Sequence, residues 1–324
     1  MPDKTVTASL AAAAMLAVAL AAHAQDRFPA KALRIVVPFT PGGVGDTIAR
    51  TLGPAVADVL GQPVVVENRA GGDGVTGTIS VIKAPADGYT ILQVSTPQAI
   101  NMVMRAKPGY DLLRDFAPVA RAAGSTLVLV IPASSPNRSV ADLVASAKVK
   151  LGGLSFGSGG SGSVGHLSGE LLKRAGGFAA THVPYKGNSA VLPDLIGGRL
   201  DFFFASQPEA VHGASTGHLR AIAVTSRQRA PTFPDLPTMI ELGFRNFDPS
   251  SFYGYMVPNG TPDPVIRTLA DAFAKAIAAP KTLDRFQAVG LDANPGGPAE
   301  LATLLRDEIV RWRRVVTDAA IGSE

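Results

Sequence analysis

Two glycine-rich turns hold the residues of this chain best suited to grip a small molecule. The first, Pro38-Phe39-Thr40-Pro41-Gly42-Gly43-Val44-Gly45-Asp46, leaves the apolar run Leu33 to Val37 and enters a helical pattern. The second, Gly157-Ser158-Gly159-Gly160-Ser161-Gly162-Ser163-Val164-Gly165-His166, follows Leu154 to Phe156. Glycines leave backbone N–H groups open to a ligand, and a helix start adds partial positive charge, so both turns suit an anion such as a carboxylate. Several neutral donors then share the ligand's charge, so no Lys or Arg is required and the grip stays reversible. The serines add hydroxyls, and His166 opens a helix beside the second turn, within reach of a ligand. For either turn alone, a tight strand-to-helix connection explains the glycines equally well. One such turn in each half of the chain favours binding.

Competing chemistries find weaker support. Gly157-x-Gly159-x-x-Gly162, Gly160-x-Gly162-x-x-Gly165 and Gly72-x-Gly74-x-x-Gly77 all match the dinucleotide fingerprint, but the chain has 34 glycines. After the second turn, Tyr185-Lys186-Gly187 stands where a nicotinamide site wants an acid for the ribose. No G-x-x-x-x-G-K-[ST] is present, so a P-loop NTPase is not expected. Neither Ser161 nor Ser163 completes G-x-S-x-G. His166, His182, His212 and His218 lack ligand spacing, and with no cysteine in the chain no metal site and no cofactor are expected. Asp46 is the one acid placed to act as a base in a hydrolase or isomerase; as a residue near a helix start it reads first as a cap. The chain is therefore read as a binder, not an enzyme.

The elements that must position these turns follow from alternation of short β-branched runs with amphipathic segments. Strands are expected at Leu33 to Pro38, Val64 to Asn68, Thr90 to Val94, Leu127 to Ile131, Leu154 to Phe156, Ala180 to Val183, Asp201 to Ala205, Leu219 to Thr225 and Tyr253 to Val257. Helices are expected notably at Asp46 to Leu60, Val75 to Ala84, Ser139 to Lys148, Gly165 to Ala175, Ser189 to Gly197, Pro264 to Ala278 and Pro298 to Ala319, with Ser139, Ser163 and Asp46 at or near helix starts and Gly61 as a stop. That rhythm indicates βαβ units in an α/β protein with largely parallel sheets. Pro132 to Pro136 and Pro258 to Pro264 are the expected paths between two domains, since about 300 residues exceed one compact core.

Leu10 to Ala22 is an apolar run of 13 residues ending in Ala22-His23-Ala24. It reads as a secretory signal peptide over residues 1–24, too short for the roughly 20 residues of a membrane-spanning helix. The mature chain is expected to begin near Gln25 and, with no cysteine for a lipid anchor, to reside in a periplasm. The net charge of +4 is scattered, without a run of basic residues, so nucleic acid is a poor partner. Arg311-Trp312-Arg313-Arg314 reads as a solvated helix face beside one buried indole.

Several ordered segments resemble the tripartite tricarboxylate transporter receptors, the Bug or TctC-like proteins: Arg34-Ile35-Val36-Val37-Pro38 with Pro41-Gly42-Gly43 and Asp46, Val64-Val65-Val66-Glu67-Asn68-Arg69, Ala86-Asp87-Gly88-Tyr89-Thr90, His182-Val183-Pro184-Tyr185-Lys186-Gly187, Gly197-Gly198-Arg199-Leu200-Asp201, Arg220-Ala221-Ile222-Ala223-Val224-Thr225 and Pro234-Asp235-Leu236-Pro237-Thr238. The resemblance implies a two-lobed, type II (Venus-flytrap) periplasmic binding protein, each lobe a mostly parallel sheet flanked by helices. It implies lobes of residues 26–124 plus 250–324 and 125–249, and a monomer that delivers a small organic acid or related solute to membrane permease subunits. In that family the loop after the first strand and the serine-rich turn of the second lobe face each other across the ligand, here Phe39 to Asp46 and Ser158 to Ser163. Thr96, Gln98, Tyr185, Lys186, Gly187, Ser206 and Gln207 follow other strand ends near the cleft. Two departures stand out: Gly42-Gly43-Val44-Gly45-Asp46 replaces the frequent Gly-Gly-Gly-Thr-Asp, and Ala205 replaces a common acid, which removes a charge that could recognise an amine. The same fold could also serve a signalling partner, and only the partner separates the two roles.

Overall fold

The computed structural model describes residues 28–245 and 247–318. The expected signal segment and the helix end at Ala319 lie outside the described residues. The first half of the chain runs through β1 (Leu33–Val37), α1 (Val44–Leu60), β2 (Val64–Asn68), a 3-10 turn at Gly72–Gly74, α2 (Val75–Ile82), β3 (Thr90–Ser95) and α3 (Thr96–Met104). β4 (Phe116–Pro132) leads into α4 (Val140–Val149), β5 (Leu154–Ser158), α5 (Val164–Gly176), β6 (Ala180–Pro184), α6 (Leu192–Ile196), β7 (Phe202–Ser206), α7 (Gln207–Ser215) and β8 (Leu219–Val224). The chain returns through β9 (Ser250–Pro258), α8 (Asp263–Ala278), α9 (Pro280–Ala288), β10 (Asp292–Gly296) and α10 (Pro298–Asp318).

Local chemistry sets the helix ends. Ser139 and Ser163 each accept a hydrogen bond from a first-turn N–H, of Asp142 and His166. Gly61 closes α1 in the left-handed region at φ 67°, a conformation that favours glycine. Along α1, Ile48, Ala49, Leu52 and Val56 recur every three to four residues and are buried.

Each lobe is built around a parallel triplet of strands. β1 pairs in parallel with β2 and β3. β5 pairs in parallel with β6 and β7. The remaining ladders, formed by β4 and β9, are antiparallel. Both faces of the sheets are covered, so the apolar runs alternate between two cores rather than between core and water. Leu33, Ile35 and Val37 pack with α1 and α8, while Val36 packs with Leu92, Val94 and the α10 residues Leu301 and Leu305. In the second lobe Phe202 and Phe204 share a core with Phe156 and Leu167, and Phe203 faces Val128, Val130 and Leu195.

β4 is 17 residues long, far longer than the Leu127 to Ile131 strand expected, and its length joins the lobes. Residues 116–126 pair with β9, and residues 127–132 pair with β7 and β8. Thr225 pins the junction: its N–H donates to the Leu127 carbonyl at 2.9 Å, and its hydroxyl donates to the Pro249 carbonyl at 2.6 Å. The proline-bracketed stretches expected to link the lobes lie instead at the far ends of β4 and β9. A continuous strand needs no breaker: Gly124 at the crossing stays paired, opposite Phe252, so nothing there reads as a linker.

Two helices also bridge the halves. Ile100 and Met104 of α3 enter the core of Phe156 and Phe204, and so does Trp312 of α10, whose earlier turns pack on the first lobe. Trp312 is buried as expected, but Arg311 is not a solvated neighbour. Both donate to Glu308, the indole N–H at 2.8 Å, and Arg311 also reaches the Asp248 carbonyl. Burial pushes the Glu308 carboxyl up, against the opposing charge and hydrogen bonds of Arg311 and Trp312. Glu308→Ala leaves those donors without their acceptor, an expected cost of about 2–3 kcal/mol. A urea unfolding midpoint that stays at the wild-type value would contradict this.

Candidate functional site

The strand orders β2-β1-β3 and β6-β5-β7 both place the first strand of each triplet in the middle. Successive connections therefore leave that strand on opposite sides, opening a crevice outside its carboxyl end, where α/β sheets bind ligands. The expected residues lie at such ends: Phe39 to Asp46 after β1, Thr96 and Gln98 after β3, Ser158 to Ser163 and His166 after β5, Tyr185 to Gly187 after β6, and Ser206 and Gln207 at β7. The register aims both sets at one place. Ser95 stands opposite Tyr253, which also faces Ala123 of β4, and Ser206 stands opposite Leu127. Four residues of β4 separate these rows, a rise of roughly 13 Å.

In the first loop, the Asp46 carboxylate accepts the Gly42 N–H at 2.9 Å and the Arg50 Nε–H at 2.9 and 3.0 Å. Arg50 also donates to Asn68 Oδ1, and the Asn68 amide donates to the Phe39 carbonyl at 3.2 Å. Both ends of the loop are thus tied to one guanidinium. The Gly42 N–H is taken by Asp46, whereas Gly43 precedes α1 without a side-chain cap, so the first-turn N–H groups have no side-chain acceptor among the described residues. Gly45 lies against buried Gln93, whose amide donates to the Gly45 carbonyl.

Burial pushes the Asp46 carboxyl up, but hydrogen bonds from Arg50, the Gly42 N–H and Asn68, with the Arg50 charge, outweigh it and hold it below the ordinary 3.8. It is an ionised structural carboxylate engaged with a cation, not a poised base. A depressed folded value gives stability that is present above pH 3.8 and lost as pH falls through the folded value. Asp46→Asn is expected to flatten the acid limb of the stability–pH curve, measured by thermal unfolding between pH 2 and 5; equal slopes in both proteins would refute the assignment.

The second loop is braced from below. Ser158 is fully buried; its hydroxyl bonds His182 Nε2 at 2.6 Å and donates to the Gly160 carbonyl. His182 stacks on His166 with ring centroids 3.9 Å apart. Burial, with the His166 and Lys173 charges, brings His182 down to about 3, so the imidazole is neutral near pH 7. Among the described residues no carboxylate pairs with that ring, and Ser158 is closed off from solvent, so the pair braces the turn. The Gly162 N–H donates to His166 Nδ1. Ser163 caps α5, while the half-buried Ser161 hydroxyl makes no hydrogen bond among the described residues.

The remaining expected residues fall into two groups. Gly187 donates to the Gly159 carbonyl and Tyr185 to the Ser158 carbonyl, so the loop after β6 lies beside the serine turn. The Tyr185 hydroxyl donates to Asp194 at 2.6 Å, and Lys186 is exposed. Thr96, Gln98, Ser206 and Gln207 have buried side chains engaged within the fold. The Thr96 hydroxyl binds β9, Gln98 forms a capping box with Ser95, Ser206 forms one with Glu209, and the Gln207 amide donates to Thr232. Backbone there can line a cleft; those side chains hold the strand ends in place.

Contacts across the lobes involve residues absent from the sequence expectation. A β-carbon on Gly160 would stand 3.2 Å from Asp73 Oδ1, and one on Gly162 would stand 3.4 Å from Met104 Sδ. A β-carbon on Gly74 would stand 3.2 Å from the Phe39 ring, so the Gly72–Gly74 turn lies between the two loops. Asp73 itself has φ 54°, the one non-glycine residue with positive φ among the described residues. Its run of neighbouring glycines was the available signal. Glu209, bonded to Asn188 and Ser206, and Tyr253, whose hydroxyl is pushed up by burial and the Glu209 charge, had none.

The profile of the tripartite tricarboxylate transporter family receptors, TctC, matches residues 48–321. Protein BugT of Bordetella pertussis is 36% identical over 295 residues, 90% of each chain. The structure of periplasmic binding protein BugD superposes with a TM-score of 0.84 at 30% identity, covering 92% of this chain and all of that one. Rpa4515 of R. palustris, solved with adipate, gives a TM-score of 0.86 at 33% identity, covering 91% of this chain and 99% of that one. With two lobes, converging strand ends and a profile match over most of its length, the chain belongs to the tripartite tricarboxylate transporter receptor family, the periplasmic solute-binding proteins.

Proposed function

We propose that this receptor captures a dicarboxylate or related organic acid between its lobes, as an exported periplasmic monomer, and delivers it to the membrane permease of a tripartite tricarboxylate system. One observation carries the reading: the carboxyl ends of both parallel triplets converge on one junction, and α1 begins there without a side-chain cap. A solute carboxylate supplies the acceptor that the N–H groups of Gly43, Val44 and Gly45 lack. Gly159, Gly160 and the free hydroxyl of Ser161 take the opposite side, with Thr40, Pro41, Lys186 and Gly187 on the rim. The adipate held by Rpa4515 supports a solute with a carboxylate at each end.

Residues 26–124 with 250–324, and 125–249, act as two bodies that close on the solute. Only the closed form makes both sets of contacts, so the solute shifts the population toward it. No described helix is long and apolar enough to cross a membrane. Isothermal titration of the mature protein against mono-, di- and tricarboxylates, adipate included, tests the proposal. Binding of at least one acid, with an affinity that falls on mutation of the glycine loops, is expected; no heat from any acid would overturn it.

A further inference from the structure

A groove of about 920 Å³ opens beside the end of the first glycine loop. It runs along α1 from Asp46 to Asp58, and Ala279 to Arg285 at the start of α9 form its other wall. Arg50, Lys281 and Arg285 line it. Lys281 and Arg285 are exposed and form no ion pair among the described residues. The half-exposed Arg50 is the guanidinium that holds the Asp46 carboxylate and Asn68 Oδ1. Asp46 is almost fully buried within its network, so Asp58 is the other wall's main opposing charge.

We infer that this groove is a docking surface for an acidic segment of a partner protein, and that docking there loosens the first glycine loop. Two unpaired cations on a short helix, facing a third across a groove of this size, complement carboxylates presented by an extended segment. The coupling follows from the bonds already described. Arg50 reaches the groove with one side of its guanidinium and holds the loop with the other. A partner carboxylate that draws Arg50 outward removes the one Nε–H that both Asp46 oxygens share and the N–H that Asn68 accepts. The ties to the Gly42 N–H and the Phe39 carbonyl then lose their anchor. An acidic partner and a solute held by this loop would weaken each other's binding by the same factor. The direction of that coupling suits release at a permease, and this part of the inference rests on the proposed function.

The test uses a fluorescently labelled hexa-aspartate peptide and the mature protein at low ionic strength. Anisotropy reads binding, and hydrogen–deuterium exchange reads the amides of residues 39–46. The expected result is saturable binding, lost at least tenfold in Lys281→Glu/Arg285→Glu, with exchange in the loop rising several-fold on peptide addition. Lys281 and Arg285 are surface residues outside the solute loops, so the double variant should fold, which an unchanged Tm verifies. No binding, binding unaffected by the charge reversals, or unchanged exchange at 39–46 would each overturn the inference. Neither readout requires a solute, so a failure of the peptide is distinct from a failure of acid binding in the titration above.

Discussion

Gly77→Ala is expected to lower the Tm by roughly 6 °C or more and to weaken acid binding together with it. Gly77 sits in α2 where the helix crosses the exit of β1. A β-carbon there would stand 2.6 Å from Pro38 Cβ, 2.7 Å from Pro38 Cα and 2.8 Å from the Arg69 carbonyl oxygen. Two of those three neighbours are backbone atoms, which cannot swing aside as a side-chain tip can. Overpacking of this kind costs about 1–3 kcal/mol, and a backbone clash belongs at the upper end. Pro38 is also the first residue of the solute loop, so relief by moving the strand exit displaces Phe39 to Asp46. Differential scanning calorimetry and titration with adipate, on the same preparations, check both parts. An unchanged Tm would show that the helix slides over the strand at no cost.

Gly160→Val should instead separate affinity from stability. Gly160 has φ 142°, in the region that L side chains rarely adopt, and its β-carbon would stand 3.2 Å from Asp73 Oδ1 and 3.5 Å from the Tyr185 carbonyl. Strain of this sort costs on the order of 1–3 kcal/mol, which a turn between strand and helix can relieve by shifting. The shift moves the serine turn away from the Gly72–Gly74 turn and out of its binding geometry. Transferred to binding, the same free energy is a rise in Kd of about fivefold to somewhat over a hundredfold. The Tm should change by far less than in Gly77→Ala, because the core of Phe156 and Phe204 is untouched. A Kd within twofold of wild type would remove Gly160 from the site.

These two glycines also show how much the sequence disclosed. Gly72-x-Gly74-x-x-Gly77 matches a dinucleotide fingerprint, and no residue pattern around it supports a cofactor. Its spacing nevertheless has the mechanical meaning it carries in such folds: Gly72 and Gly74 take positive φ, and Gly77 permits close helix–strand approach. The parallel triplets were legible because each is an apolar run followed by a glycine turn and an amphipathic helix. The first eleven residues of β4 were not, since Phe116 to Thr126 mixes Ala, Arg and Gly and is held by ladders to β9 rather than by its own pattern. β10, built on Asp292-Ala-Asn-Pro-Gly296, is likewise a strand only because β4 lies beside it.

The candidate site divides along the same line. Its backbone donors were readable, because a glycine turn between strand and helix fixes the chemistry of its N–H groups locally. The occupation of those donors was not readable. That Gly42 serves Asp46, that Ser158 braces His182, and that Thr96 and Gln98 tie strand ends together depend on atoms brought close from distant positions.

By itself, the sequence determined the α/β class, the two glycine turns and the family, since each rests on patterns within a few turns of chain. Tertiary structure alone decided that β4 is the bridge between lobes, that the Gly72–Gly74 turn lies between the two loops, and that Arg50 anchors the first loop from an outer groove. The reason is physical. Helix and turn signals come from neighbours in sequence, whereas cross-lobe contacts and hydrogen-bond partners are set by strand register and packing, which a single chain read in order does not encode locally.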